Sequence, residues 1–387
     1  MSHISLHWYL PTHGDGRTLT QAGAATQSLY QGGSSEPNEA DASRGIAPAG
    51  IRAATFEYLQ HVAKTAELAG FDAVLTPTAT WCEDAWIACA SLISVTSRLR
   101  FLVAFRPGTI SPTLAAQQAA TFQRFSGGRL MLNVVTGSEN AEQRRFGDWL
   151  DKDDRYARTD EFLTVLRAAW DRPFDFEGRH IHVEGAYAPG VSRPPELYFG
   201  GSSEAALKVA AKHADVYLSW GEPPPAIGAH FARADAQAAD QNRTLRHGVR
   251  MHVIARPEAS QAWAAAESLL ADADPESIAA VQKTFKAAVG EGQRRMTALL
   301  TGRMEDLEIY PNVWAGVGLL RGGAGTTLVG SYADVADRIA EYHQTGVDEF
   351  ILSGYPHVEE AMWFSEGVMP ILRERGLLPE PMSRSQD

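Results

Sequence analysis

The triplet Arg250-Met251-His252 offers the plainest chemistry in the chain. Residues two apart on a β-strand share a face, so Arg250 and His252 point the same way. Burying such a pair is costly unless it meets an anion, and we read it as an inward pair serving an anionic ligand. A second charged feature is the run Val317 to Tyr332, where five glycines surround a single charged side chain, Arg321. That backbone can carry one guanidinium toward an oxyanion, the alternative being a plain surface loop. A third is Gly200-Gly201-Ser202-Ser203, which runs into a helical pattern from Glu204. Free N–H groups, two hydroxyls and the positive end of a helix dipole hold a phosphate without net charge; a simple serine cap is the competing explanation. Lys152, Arg155 and Tyr156, at the start of another helix, add charge and a phenol, or form a solvated helix face. Cys82, flanked by Trp81 and by Glu83-Asp84, sits beside acids that raise a thiol's pKa, so it reads as a pocket residue and not a nucleophile. No His-Glu-x-x-His, paired-cysteine or carboxylate cluster has metal-ligand spacing, and Gly-x-Ser-x-Gly is absent, which disfavours a metal enzyme and a serine hydrolase.

These residues need a frame that brings them together. Short, nearly all-apolar runs, of the kind buried on both faces of a parallel sheet, occur at Ile4 to Leu10, Phe71 to Leu75, Arg100 to Phe105, Arg129 to Val135, Leu197 to Phe199, Val216 to Trp220, Val249 to Ala255 and Glu349 to Leu352. Helical patterns separate them, so the chain reads as eight βα phrases closing into one (β/α)8 TIM barrel over residues 1–387. A dinucleotide-binding open sheet fails at its diagnostic point, because the first strand runs into Pro11-Thr12-His13-Gly14-Asp15-Gly16 and not Gly-x-Gly-x-x-Gly. Insertions are expected near 17–50 as a long loop, near 174–190 as a hairpin and near 290–330 around the Gly-rich run, with one long helical stretch from Ala259 to about Leu300 before it. A barrel places its chemistry just after each strand, which selects His13, Thr78, Cys82, Arg106, Asn133, Gly200 to Ser203, Trp220, Glu222, Arg250, His252, Tyr355 and His357.

Composition narrows the partners. With 387 residues, 35 basic against 47 acidic side chains and a net charge of -12, the chain is unsuited to nucleic acid or an anionic membrane, so an anionic ligand must be met by a local cluster. Two cysteines, no leader-like N-terminus and no apolar run of roughly 20 residues suit a soluble, cytoplasmic protein.

Several longer runs, taken in order, carry a resemblance. They are Leu10-Pro-Thr-His-Gly-Asp-Gly16, Cys82-Glu-Asp-Ala-Trp86, Gly200-Gly-Ser-Ser203, Trp220-Gly-Glu-Pro-Pro224, Arg250-x-His-Val-Ile254, Val313-Trp-Ala-Gly-Val-Gly318 leading to Arg321-Gly-Gly-Ala-Gly325, and Ser353-Gly-Tyr-Pro-His357. Over nearly its whole length the chain resembles the alkanesulfonate monooxygenases of the bacterial-luciferase-like flavin family. The resemblance implies a barrel that receives reduced FMN from a separate NAD(P)H-dependent FMN reductase and uses O2 to cleave the C–S bond of an organosulfonate, giving sulfite and an aldehyde. It also implies a homodimer or homotetramer. It puts His252, Arg250, Tyr355, Cys82 and His13 at active-site positions and makes Arg321 the arginine of a mobile lid. The flavin phosphate would fall to Ser202, Ser203, Tyr156 and Lys152, the last standing where a histidine is usual, and the rest of the flavin to Thr78, Ala104 and Asn133. Substrate contacts would come from Trp81, Arg250, Arg321, Trp220 and His357. One departure bears on substrate: Thr78-Ala79-Thr80-Trp81 replaces the family's Thr-Gly-Arg-Ser, removing an arginine and adding an indole. An indole face suits a sugar ring, which makes a sulfosugar such as sulfoquinovose the sharpest candidate. Relatives that act on sulfones or other small organic molecules, and a noncatalytic flavin- or sulfonate-binding subunit, are the competing readings.

Overall fold

Every one of the apolar runs becomes a strand in the computed structural model, which describes residues 3–30, 50–137, 139–191, 193–286, 290–301 and 303–380. The strands β1 (Ser5–Tyr9), β2 (Ala73–Thr76), β3 (Arg100–Phe105) and β4 (Leu130–Val134) are followed by an antiparallel hairpin, β5 (Phe174–Glu177) with β6 (His182–Ala186). Then come β7 (Glu196–Gly200), β8 (Val216–Trp220), β9 (Arg246–Arg256), β10 (Glu308–Tyr310), β11 (Val313–Trp314), β12 (Thr327–Ser331) and β13 (Glu349–Ser353). β1-β2-β3-β4-β7-β8-β9-β13 pair in parallel and close on themselves as an eight-stranded barrel. The (β/α)8 fold read from the sequence is the fold observed.

One strand does double service. β9 pairs with β8 through Arg246 to Arg250, with β13 through Gly248 to His252, and with β12 through His252 to Arg256. Its upper half therefore leaves the ring and carries a small side sheet in which β10, β11 and β12 are antiparallel. That side sheet forces a correction. The stretch Val317 to Tyr332, expected to be one mobile lid, is a 3-10 turn at Gly316–Leu319, a short loop, and then β12 tied to the barrel wall. Only the part around Leu320 to Thr326 is loop.

Two other expectations change. The composition-biased segment after Gly16 contains a helix, Leu19–Tyr30, and the remainder of the expected 17–50 insertion, residues 31–49, lies outside the described residues. The single helical stretch expected from Ala259 to Leu300 is three helices, Ala259–Ser268, Pro275–Lys286 and Glu291–Ala298. Pro275 breaks it, because a proline lacks the N–H an interior turn needs and suits a first turn instead.

Outside the ring, helices end where their caps dictate. Thr55, Asp84, Ser111, Asp151, Ser203 and Ser331 each accept a backbone N–H at a helix start. Inside the ring, Leu75, Leu102, Met131, Tyr198, Leu218 and Ile351 form an apolar middle layer. Below it, at the N-terminal ends of the strands, charges are closely paired. Glu349 meets His7 at 3.0 Å, Arg246 at 2.5 Å and the Tyr198 hydroxyl at 2.8 Å, while Arg246 and Arg100 reach Glu196 at 2.5 and 2.6 Å. Among the described residues no helix is long and apolar enough to cross a membrane.

Candidate active site

Above the middle layer the strands end in a different kind of polar surface. β7 stops at Gly200 and turns through Gly201, whose φ of 137° is a conformation that residues with a Cβ rarely adopt. A Cβ there would also come within 2.8 Å of the Ala206 Cβ and 3.3 Å of the Tyr156 hydroxyl. The turn delivers Ser203 as cap of helix Glu204–His213, its Oγ accepting from the Ala206 N–H at 3.3 Å. Tyr156 is hydrogen-bonded to Ser203, and burial raises its pKa, so it stays a phenol able to donate. Lys152, Tyr156, Ser202 and Ser203 line a cavity of about 240 Å³ that reaches Asn133, Trp220 and Arg250. A second network steadies the cradle from behind. The Tyr217 hydroxyl donates to the Gly201 carbonyl at 2.6 Å and lies 2.7 Å from His230 Nε2, which must therefore donate to it. His230 is pushed down to about 4 by burial and then by Arg295, so it is neutral. Arg295 in turn binds Glu222 at 2.7 Å, which removes Glu222 from the rim residues free to meet a ligand. Arg155 is likewise committed, donating to the Leu150 carbonyl at 2.6 Å and to Asn140 at 3.0 Å, and is not a cavity residue.

At the other end of the cavity stands Arg250, pointing inward as strand parity requires. Its guanidinium lies over the Tyr9 ring at 4.6 Å, donates to Ser353 Oγ at 2.8 Å and reaches the Met251 carbonyl at 2.5 Å. Burial lowers its pKa, and no carboxylate among the described residues pairs with it. Arg321 comes down from the loop to within 3.4 Å of both ring nitrogens of His13. His13 is also 5.5 Å from the Trp81 ring. The two guanidiniums thus share one acid-poor corner.

His252 is held tightly. Its Nε2 is 3.0 Å from the Ala324 carbonyl and must donate there, and its Nδ1 accepts from the Ser353 hydroxyl at 2.7 Å. The ring stacks on Tyr355 at 5.4 Å. Burial, then Arg250, hold its pKa well below the ordinary histidine value. His13 is likewise held well below it, by burial and then Arg321. His357 differs, because its Nδ1 lies 3.0 Å from buried Asp15, which also accepts from the His357 backbone N–H at 2.8 Å.

The remaining expected residues fall around these two ends. Ala104 and Asn133 are register partners on β3 and β4. The Thr78 carbonyl accepts from Arg106 at 3.2 Å. Trp220 packs toward the inserted helix and the loop, since a Cβ on Gly292 would lie 3.0 Å from its ring and one on Gly323 3.7 Å. The Cys82 thiol is pushed up to about 12, chiefly by burial; the acid that acts on it is Glu142, not the neighbouring Glu83 and Asp84. Asp84 is occupied in capping helix Ala85–Leu92.

Three residues of this site were missed in the sequence: Tyr9, Ser353 and Asp15. Tyr9 has the same strand parity as His7 and Ser353 the same as Ile351, a signal that was available. Asp15 is a turn residue whose partner is 342 positions away, and no local pattern announces that.

A (β/α)8 barrel with a cradle and a cationic corner at the C-terminal ends of its strands is the setting of a luciferase-like monooxygenase. The chain belongs to that family, which its residues 8–349 match. In fold it is similar to riboflavin lyase (RcaE), solved with modified FMN and riboflavin, at a TM-score of 0.76 and 19% identity over 99% of this chain and 94% of that one. It is similar also to the long-chain alkane monooxygenase LadA, at 0.74 and 18% over 99% and 94%. A third likeness is to the EDTA monooxygenase EmoA from Chelativorans sp. BNC1, at 0.72 and 19% over 99% and 96%.

Proposed function

We propose that this chain is the oxygenating half of a two-component system. It takes reduced FMN from a separate NAD(P)H-dependent reductase and uses O2 to split the C–S bond of an organosulfonate into sulfite and an aldehyde. The observation that carries the reading is Arg250, a half-buried guanidinium with no carboxylate partner among the described residues and with Arg321 as a second cation nearby. A neutral ligand leaves that charge uncompensated; a sulfonate compensates it and accepts from both guanidinium forks. The cradle fits an FMN phosphate in its donor set: two serine hydroxyls, a phenol, a lysine and a helix N-terminus. Flavin, when bound, supplies the oxygen chemistry.

The chain's own residues would then divide the work. Ser202, Ser203, Tyr156 and Lys152 anchor the phosphate, Thr78, Ala104 and Asn133 face the rest of the cofactor, and Arg250 with Arg321 orients the sulfonate. Cys82, Tyr355 and Trp220 shape the pocket, while the loop around Arg321 excludes water. Trp81, against His13, gives a bulky or sugar-bearing sulfonate such as sulfoquinovose a flat partner. Assembly as a homodimer or homotetramer is part of the same proposal.

Sulfite release measured with reductase, FMN, NADH and a panel of sulfonates tests it. Release from at least one organosulfonate is expected, and none from any, with FMN bound, would leave a noncatalytic flavin-binding subunit. Turnover of octanesulfonate faster than sulfoquinovose would remove the sugar assignment. Arg321→Ala is expected to abolish oxygenation while changing FMN affinity only a few-fold; a large loss of flavin binding would sink its role as a substrate contact.

A further inference from the structure

Among the described residues no acid pairs with either cation of the corner, yet both are held. Arg250 rests on three neutral groups: the Tyr9 ring at 4.6 Å, Ser353 Oγ at 2.8 Å and the Met251 carbonyl at 2.5 Å. Arg321 meets His13 with one guanidinium nitrogen 3.4 Å from both Nδ1 and Nε2. In the plane of the ring that position would overlap the carbon between the two nitrogens or the far edge of the ring, so the guanidinium lies over the imidazole face. The two rings that carry the cations are themselves neighbours, with centroids 5.8 Å apart. Local sequence builds this arrangement. Tyr9 ends β1, where parity with His7 turns it into the barrel, and it packs on the apolar middle layer. The chain then folds back, Thr12 donating its N–H to the Leu10 carbonyl and Gly14 its own to the Pro11 carbonyl, both at 2.9 Å. Gly14 closes the turn at a φ of 95°, and a Cβ there would come within 2.6 Å of the Ala25 Cβ. His13 is thereby returned to the side of Tyr9. Both rings stay neutral: burial raises the Tyr9 phenol, while burial and then Arg321 hold His13 below the ordinary histidine value.

We propose that Tyr9 and His13 form an aromatic floor that positions Arg250 and Arg321 without neutralising them, and that this floor makes the corner select an anion over a neutral ligand of the same shape. An aromatic face attracts a cation through its quadrupole and adds no charge of its own. A carboxylate in either place would attract its guanidinium more strongly and cancel it, leaving nothing for an entering anion to compensate. Tyr9 and His13 are positioning residues, acting on a ligand through the cations they carry. Selection of a sulfonate rests on the organosulfonate reading; the hold of Tyr9 on Arg250 does not.

The hold is tested without any ligand, in a double-mutant cycle on urea unfolding of the full chain. Tyr9→Leu and Tyr9→Met both remove the face while keeping an apolar side chain, and each is expected to lower the unfolding midpoint. In an Arg250→Met background the same changes are expected to lower it by less than about half as much. Tyr9→Phe keeps the face and is expected to retain the midpoint. Equal losses in the two backgrounds overturn the floor, whatever the site binds. Selection is tested by calorimetry with octanesulfonate and its neutral counterpart, methyl octyl sulfone. Tyr9→Leu is expected to weaken octanesulfonate roughly ten-fold, Tyr9→Phe to restore it to within about two-fold of the wild type, and neither to move the weaker binding of the sulfone. A merely structural role would weaken both ligands alike. Weakening of both, or of neither, overturns selection by the floor. Coupling in the unfolding cycle together with no binding of octanesulfonate or any other organosulfonate by the wild type would leave the hold standing and remove the parent reading, and selection with it.

Discussion

The two ends of the barrel treat charge in opposite ways. At the bottom, His7, Arg100, Glu196, Arg246 and Glu349 satisfy one another at 2.5 to 3.0 Å, so the buried acid there has its cations built in. At the top, Arg250 and Arg321 have no acid partner among the described residues, and the acids nearby are taken: Asp15 by Tyr58 and the Gly16 and His357 backbone N–H groups, Glu222 by Arg295. Each end takes a charge out of water, Glu349 at the bottom and Arg250 at the top, and doing so is costly at either. The bottom offsets that cost within the fold; at the top no carboxylate among the described residues offsets it for Arg250. The proposed function takes the paired charge as architecture and the unpaired charge as the binding site.

Mutation should separate the ends. The largest effect is expected from Glu349→Ala, which takes the acid from His7 and the Tyr198 hydroxyl and leaves Arg246 with Glu196 alone: roughly 3–5 kcal/mol of stability lost in urea unfolding. A loss below about 1 kcal/mol would break the contrast. Next, Arg250→Ala should cost roughly 2–5 kcal/mol of sulfonate binding by calorimetry, with the unfolding midpoint unchanged or raised. A lowered midpoint would mean Arg250 is structural after all. Third, the ends should fail in different pH windows. His13, His252 and His230 all have lowered values in the folded chain, each from burial first. Below about pH 6.5 the unfolded chain takes protons that the folded one refuses, so stability falls with pH by up to about 1.4 kcal/mol per unit for each group. Glu349 is lowered overall, burial being outweighed by His7 and Arg246, so its contribution is present above about pH 4 and lost only below it. Unfolding midpoints near pH 7, 5.5 and 3.5 should show two separate declines, and a single one would blur the distinction. The smallest effect is that of Ser203→Ala, about 1 kcal/mol of stability from the lost cap, together with weaker FMN binding.

Much of this was readable before any coordinates. Strands buried on both faces announce themselves as apolar runs, which is why the eight barrel strands and the hairpin were found with small shifts at their ends. Parity put Arg250 and His252 on one face of their strand, the cost of burying such a pair without an anion pointed that face inward, and Gly200 to Ser203 marked a candidate cradle by composition. What could not be read was closure in three dimensions. Tyr9 lies beneath Arg250 only because β13 seats β1 two strands from β9. The chain from Arg295 through His230 and Tyr217 to Gly201 joins four elements distant in sequence. Some errors were avoidable: Asp274-Pro275 is a helix start in the middle of what was taken as one helix, and the glycines around Arg321 drew attention from Thr327-Leu328-Val329, a short run of strand-favouring residues that opens β12.

Those glycines have one further effect. Gly318 donates its N–H to the Gly325 carbonyl at 3.0 Å, and a Cβ on Gly325 would come within 2.6 Å of the Gly318 Cα, so the two backbones touch where the loop leaves and rejoins the protein. The six residues between them form a closed cassette whose ends are fixed by their own contact. On the proposed function, its Arg321 tip, short of the Ala324 carbonyl that holds His252, is the place to retune which anions the scaffold accepts.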